Sequence, residues 1–323
     1  VMSEEGKGAT FTVLLPVTKL EKVEEPVIEA PVFIAPEQST PGQPVISKPS
    51  NPDAPSLLII EDSPDIVAYI VNLLKEEYQI LSTPNGVKGV ELAQKEVPDL
   101  IISDVMMPEM DGFEVCRRIK TEVATSHIPV ILLTAKADLE SRLEGLEYGA
   151  DAYLSKPFEE RELKIRLRNL LELRKRLQDK FRAPGNWQAE GGADTPEKQA
   201  GESLLFDLEQ YSALDATFVK KLKGLIEADY SVQWKVPELA KEMLVSPTQL
   251  YKKLKSITGM YPTEFVRYLR LMEATRVMQE HPDWTNTRIA GEVGFSSLSE
   301  FSNRFKKFFG VRPTQWREGV KKP

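Results

Sequence analysis

The sequence is short of cysteine, of histidine and of long apolar runs, and each shortage excludes something. The single cysteine, Cys116, rules out an internal disulfide and any cysteine-based zinc site, which suits a reducing cytosol. It lies in Phe113-Glu114-Val115-Cys116-Arg117-Arg118-Ile119, where the apolar spacing predicts a helix with Cys116 near its buried face and a core thiol rather than a reactive one. No apolar run approaches the roughly 20 residues needed to span a bilayer, and no signal peptide opens the chain. A soluble, cytoplasmic segment with no membrane contact of its own is expected.

What is present is ordinary globular composition with an uneven charge. The 323 residues, 41% of them hydrophobic, suffice for two domains with their own cores plus linkers. The net charge is -7, yet Ser246 to Pro323 carries 14 basic and 7 acidic residues, a balance of +7, against 28 basic and 42 acidic before it. The C-terminal segment has the electrostatic footprint of a polyanion binder, a weak signal until a motif supports it.

Prolines at 26, 31, 36, 41, 44, 49, 52 and 55 make residues 19 to 56 an extended tether. A second break runs from Arg182 to Glu202, through Ala183-Pro184-Gly185-Asn186 and Glu190-Gly191-Gly192. Two folded units are thus expected, near 57–181 and 204–320. The first alternates strands, Leu57 to Ile60, Gln79 to Ser82, Leu100 to Ser103, Val130 to Leu133 and Ala152 to Leu154, with helical patterns, which predicts a five-stranded parallel sheet covered on both faces. In such α/β sheets the functional crevice lies beyond the carboxyl ends of the strands.

Those ends carry Glu61-Asp62, Asp104, Thr134 and Ser155-Lys156-Pro157. Three converging carboxylates repel one another unless a cation joins them, and an all-oxygen set suits Mg²⁺. Lys156 and Thr134 suit the oxygens of a transferred phosphoryl group, whose transfer depends on positioning and charge stabilisation. Singly, each acid is explained as a helix cap or a solvated loop, and Asp62-Ser63-Pro64 has that form; jointly they point to phosphate on a carboxylate.

Ile60-Glu61-Asp62-Ser63-Pro64, Asp104-Val105-Met106-Met107-Pro108-Glu109-Met110-Asp111-Gly112, Leu133-Thr134-Ala135 and Lys156-Pro157-Phe158 together resemble response-regulator receiver domains over residues 56–181. The resemblance implies a flavodoxin-like fold with Asp104 as phosphoacceptor. It further implies Glu61, Asp62, Asp104 and the Met106 carbonyl around Mg²⁺, Thr134 and Lys156 as phosphate contacts, and Tyr153 as a switch aromatic, a ring that is otherwise explained as part of the strand core. Glu61 stands where many family members have Asp. After strand five a helix from Glu159 to about Phe181 has Leu163, Leu167, Leu170, Arg174, Leu177 and Phe181 spaced by fours and threes, a coiled-coil seam. Two readings stand for its overhang, pairing between chains or a projecting linker helix.

The second unit carries an internal repeat. Ser246, Leu250, Leu254, Gly259, Pro262 and Phe265 line up with Ser297, Phe301, Phe305, Gly310, Pro313 and Trp316. Each copy follows a short helix, Val236 to Met243 or Asn286 to Val293, then a tight turn and a capping serine, the order of a helix-turn-helix. Lys252, Lys253, Lys255, Arg304, Lys306 and Lys307 cluster on the second helices and are expected on exposed faces, as insertion into a major groove requires. The joining helix, Pro262 to about Gln279, is expected to hold the two reading heads apart.

Residues 214–320 resemble AraC-type DNA-binding domains, most clearly from Ala290 to Pro313. By position the base-facing residues are Thr248, Gln249, Tyr251 and Lys252 in the first reading helix and Leu298, Ser299 and Asn303 in the second, with Arg304 and Lys306 as further DNA contacts. The segment Ser3 to Pro16 is similar to the last strand of a histidine-kinase ATP-binding domain, and the chain opens on Val1, so residues 1–18 are expected to be the remnant of a longer hybrid sensor kinase, and whether that parent is anchored in the inner membrane is left open by this segment. His127 and His281 sit in no phosphoacceptor helix and the ATP-binding motifs are absent, so the segment itself is not expected to be a kinase.

The expectation is therefore a two-component transcription regulator that accepts a phosphoryl group on Asp104 from a kinase histidine and binds double-stranded DNA. Homodimerisation on phosphorylation is expected, and RNA polymerase is admitted as a partner. The competing reading is a phosphorelay protein whose helical half serves protein interaction.

Overall fold

The structure is a computed structural model, and it describes residues 2–4, 8–10, 46–47, 51, 53–135, 149–182 and 212–320. The chain divides into two compact units, Val1–Thr40 and Pro41–Pro323. In the first, β1 (Met2–Glu4) pairs antiparallel with β2 (Gly8–Thr10), Ser3 facing Ala9.

The second unit begins with a sheet of β3 (Ile46–Ser47), β4 (Ser56–Ile60), β5 (Gln79–Thr83), β6 (Leu100–Asp104), β7 (Val130–Thr134) and β8 (Ala152–Ser155), in the order β3-β5-β4-β6-β7-β8. The five longer strands are parallel, as expected. Each reaches one residue further than the apolar run predicts at one end, because ladder hydrogen bonding continues into Ser56, Thr83, Asp104, Thr134 and Ser155. The sixth strand corrects the reading of residues 19–56 as tether throughout: Ile46 and Ser47 pair antiparallel with Leu81 and Ile80. Two paired residues on an edge leave no periodicity to read.

Helices α1 (Pro64–Leu74), α2 (Gly86–Glu96), α3 (Gly112–Thr121) and α4 (Glu160–Arg182) cover the sheet. The helical pattern after β7 lies outside the described residues. Leu57, Leu58, Ile59 and Ile60 are all fully buried, the unbroken apolar run that a strand covered on both faces requires. Leu58 and Ile60 join a core with Val115, Cys116 and Ile119 on one face; Leu57 and Ile59 join Ile70, Leu74, Leu163 and Leu167 on the other. Each such side chain contributes about 1.5–3 kcal/mol by leaving water.

The second half is helical: α5 (Ala213–Glu227), α6 (Val236–Glu242), α7 (Pro247–Thr258), α8 (Pro262–Glu280), α9 (Asn286–Glu292), α10 (Leu298–Phe309) and α11 (Pro313–Val320). The order of short helix, turn and longer helix occurs twice, in α6–α7 and α9–α10. Both turns close alike, the Val245 N–H donating to Ala240 and the Phe295 N–H to Ala290. Both long helices start on a serine cap, Ser246 accepting from Gln249 N–H and Ser297 from Glu300 N–H, and both end on a left-handed glycine, Gly259 or Gly310. Among the described residues no helix is long and apolar enough to cross a membrane.

Candidate functional site

The parallel order reverses direction at β4, whose neighbours are β5 and β6, so a crevice opens beyond the carboxyl ends of β4 and β6. Glu61 follows β4, and Asp104 ends β6. Glu61 and Asp104 are buried and Asp62 is exposed; one carboxylate oxygen from each lies within 4.8 Å of the other two. Ser63 caps α1 without a side-chain bond, and its N–H donates instead to Glu61 at 3.2 Å. The capping turn thus serves the acidic group.

Lys156 enters from the end of β8, with Nζ 2.8 Å from Glu61 Oε2 and 2.9 Å from Asp104 Oδ1. Burial raises the Glu61 carboxyl above its usual range, with the negative charge of Asp104 adding to it and the Lys156 bond opposing. For Lys156 burial works against the charge, but the bonds from Glu61 and Asp104 outweigh it and raise the ammonium above its ordinary value. Carboxylates this close need a cation, and Lys156 supplies one charge to two buried acids. Thr134 is buried at the end of β7, and its carbonyl accepts from the Lys156 N–H at 2.7 Å. Met106, two residues past Asp104, is 72% exposed.

Two features fix the loop after Asp104. The Gly112 N–H donates to the Val105 carbonyl at 3.0 Å, and a Cβ on Gly112 would lie 2.1 Å from the Asp104 carbonyl oxygen, so only glycine lets α3 start this close. Asp111 caps α3 by accepting from the Glu114 N–H at 2.7 Å. Tyr153 packs its ring on the core while its hydroxyl is buried without a partner among the described residues, and burial raises its pKa. Cys116 is fully buried, its thiol pushed up to about 12 by burial, which agrees with a core role.

On the helical half the predicted residues divide. Thr248, Tyr251, Leu298, Ser299, Asn303 and Lys306 are exposed, and Arg304 is half-buried. Gln249 and Lys252 are half-buried, and both bond to the α/β half: Gln249 Nε2 donates to the Gln94 carbonyl at 2.9 Å and Lys252 Nζ to the Glu96 carbonyl. Lys253 corrects the expectation of an exposed basic cluster. It is fully buried, paired with Asp215 of α5 and donating to Ser126 Oγ at 2.9 Å. The periodicity held the signal, since Lys253 shares the inner face with Leu250, Leu254 and Ile257.

A model of the response regulator receiver domain matches residues 57–168, and one of a helix-turn-helix domain matches residues 239–319. The chain carries a receiver domain followed by a helix-turn-helix domain of the AraC type. It is 38% identical over 263 residues to Histidine kinase P4 of Formosa agariphila, covering 81% of this chain and 18% of that protein. It is 40% identical over 124 residues to the DNA-binding dual master transcriptional regulator RpaA of Synechocystis, covering 38% of this chain and 52% of that one. The receiver domain of a signal transduction histidine kinase from Syntrophus aciditrophicus is similar at 35% identity over 44% of this chain and 98% of its own, with a TM-score of 0.36. The chain thus spans under a fifth of the first relative and about half of the second.

Proposed function

We propose that this chain is a transcription regulator of a two-component system, switched by a phosphoryl group on Asp104. The observation that carries the reading is the convergence of Glu61, Asp62 and Asp104 with Lys156 at the carboxyl edge of the sheet, in one chain with a helix-turn-helix domain. Asp104 is the phosphoacceptor: its carboxylate oxygen attacks phosphorus, and the bond to the donor, a kinase histidine nitrogen, breaks. Glu61, Asp62, Asp104 and the Met106 carbonyl would hold Mg²⁺, whose charge, when bound, offsets that of the incoming phosphoryl oxygens. Lys156 holds a second positive charge against those oxygens, Thr134 offers a hydroxyl, and Tyr153, whose hydroxyl has no partner among the described residues, is the switch aromatic.

On the output side α7 and α10 are the two reading helices. Thr248, Gln249, Tyr251 and Lys252, and Leu298, Ser299, Asn303, Arg304 and Lys306, are the DNA contacts, with α8 as the spacer. Nineteen residues of helix span about 28 Å, close to the roughly 34 Å of one DNA turn. The domains run 57–181 for the receiver and 204–320 for the DNA-binding half, with linkers at 19–56 and 182–203. Residues 1–18 belong to the end of a kinase ATP-binding domain, and the kinase of the same longer polypeptide is the phosphodonor. Phosphorylated chains pair, and RNA polymerase is a downstream partner.

The test is intact-mass analysis after incubation with Mg²⁺ and a small acyl phosphate. Gain of one acid-stable, base-labile phosphoryl group by the native chain and none by Asp104→Asn is expected. Equal labelling of both would remove Asp104 from its role.

A further inference from the structure

The receiver does not merely adjoin the first reading helix. Gln249 and Lys252 of α7 donate to the carbonyls of Gln94 and Glu96 in the last turn of α2. A helix ends in carbonyls without intrahelical partners and with partial negative charge, so α2 offers these side chains the acceptor chemistry that phosphates and base edges offer. Along the same helix α4 lies against α7, Gln178 Nε2 donating to the Ser256 carbonyl at 2.7 Å and the Lys255 carbonyl at 3.2 Å. The overhang of α4 is therefore neither free nor simply projecting: Arg174 holds Asp99 and the His127 carbonyl, and Gln178 holds α7.

Below these contacts lies a sealed polar cluster shared by the two halves. Ser126 of the receiver donates to Asp215 Oδ1 at 2.7 Å and accepts from Lys253, all three being nearly inaccessible to water. Burying an ion pair is costly and gains its hold only when further hydrogen bonds complete it, which here needs the receiver hydroxyl. The matching stretch of α10 is less covered: Asn303 and Lys307 are exposed where Lys252 and Ser256 of α7 are half-buried.

We propose that the receiver surface formed by the end of α2, Ser126 and the far end of α4 is a binding site for α7 that excludes DNA. A major groove is only about 12 Å wide and admits a bare helix, so α7 cannot enter it with α2 and α4 on its flank. The receiver and DNA are alternative ligands of one helix, and the chain in this form engages DNA through α10 alone. The inference rests on the reading of α7 as a DNA-binding helix. Apparent affinity falls in proportion to the fraction of chains with α7 released.

The test uses the full chain without phosphodonor, a mixed-sequence DNA duplex at low salt, and two receiver-side variants that touch neither the acidic pocket nor a DNA contact. Gln178→Glu sets a carboxylate against two carbonyls at a half-buried position, and Ser126→Arg sets a cation against Lys253. Both are expected to bind DNA about tenfold more tightly than the native chain, with faster amide exchange in 247–258. If the native chain binds DNA and the folded Gln178→Glu chain binds equally, with unchanged exchange, the occlusion is overturned and the DNA-binding reading stands. If exchange shows α7 released yet no form binds DNA, the DNA-binding reading itself falls, and this inference with it.

Discussion

Helices α7 and α10 are near copies in different surroundings. Both have twelve residues, a serine cap, a left-handed glycine at the end and two large apolar residues four apart, Leu250 and Leu254 or Phe301 and Phe305. The position that is Lys253 in one is Arg304 in the other. In α7 that cation is sealed against Asp215 and the receiver; in α10 it is half-buried beside Arg267, whose pKa is lowered by burial first and then by the charge of Arg304. Equivalent sequence thus yields equivalent helices, while what each helix does depends on what lies across from it.

The largest expected difference comes from that matched pair. Lys253→Met leaves Asp215 buried without its partner and should cost about 3–5 kcal/mol in chemical denaturation, whereas Arg304→Met should fall within about 1 kcal/mol. Combining Lys253→Met with Asp215→Leu should recover most of the loss; no recovery would mean that the pair is not what the substitution breaks.

The two turns give the next contrast. Gly294 has φ +79° and a Cβ there would meet the Tyr230 carbonyl oxygen at 1.9 Å, whereas Leu244 adopts φ +56° in the matching turn with its side chain 86% exposed. Gly294→Ala should destabilise by about 1–3 kcal/mol. Leu244→Gly should be neutral or stabilising by up to about 1 kcal/mol, because glycine is indifferent to a positive φ that costs leucine. Melting curves of the two variants would separate them, and equal losses would contradict the turn assignment.

The interface also carries a pH signature. Burial, then Lys253, Arg174 and Lys120, hold the His127 imidazole well below its usual pKa, and its Nδ1 is buried without a partner among the described residues. At His127 the unfolded chain takes up a proton below about pH 6.5 and the folded one resists, so the contribution of this group to stability is constant above that pH and falls below it, by at most about 1.4 kcal/mol per pH unit. Urea midpoints of the native chain and His127→Gln should diverge only on the acid side. Smallest are the caps: Ser246→Ala and Ser297→Ala should each cost about 1 kcal/mol, and a much larger loss for one would mark it as more than a cap.

Much of this was readable from the residues. The parallel strands declared themselves as Val-, Ile- and Leu-rich runs, the acids stood at the carboxyl ends of two of them, and the repeat of 246–265 at 297–316 gave both helix pairs. Three things escaped for physical reasons. Ile46 and Ser47 are too short to show alternation. Lys253 was read with its basic neighbours by charge although its spacing from Leu250 and Leu254 placed it inside. Ser126, Gln178 and Asp215 each look like ordinary caps or surface residues, because only contacts between distant segments give them a role.

The central claim is that Asp104 governs DNA binding by the helical half, and fluorescence anisotropy of a labelled DNA duplex tests it most directly. With Mg²⁺ and a small acyl phosphate, the native chain should gain affinity by about tenfold, and Asp104→Asn should not change. An equal response from both, or no change in the native chain despite a phosphoryl group on Asp104, would contradict the account.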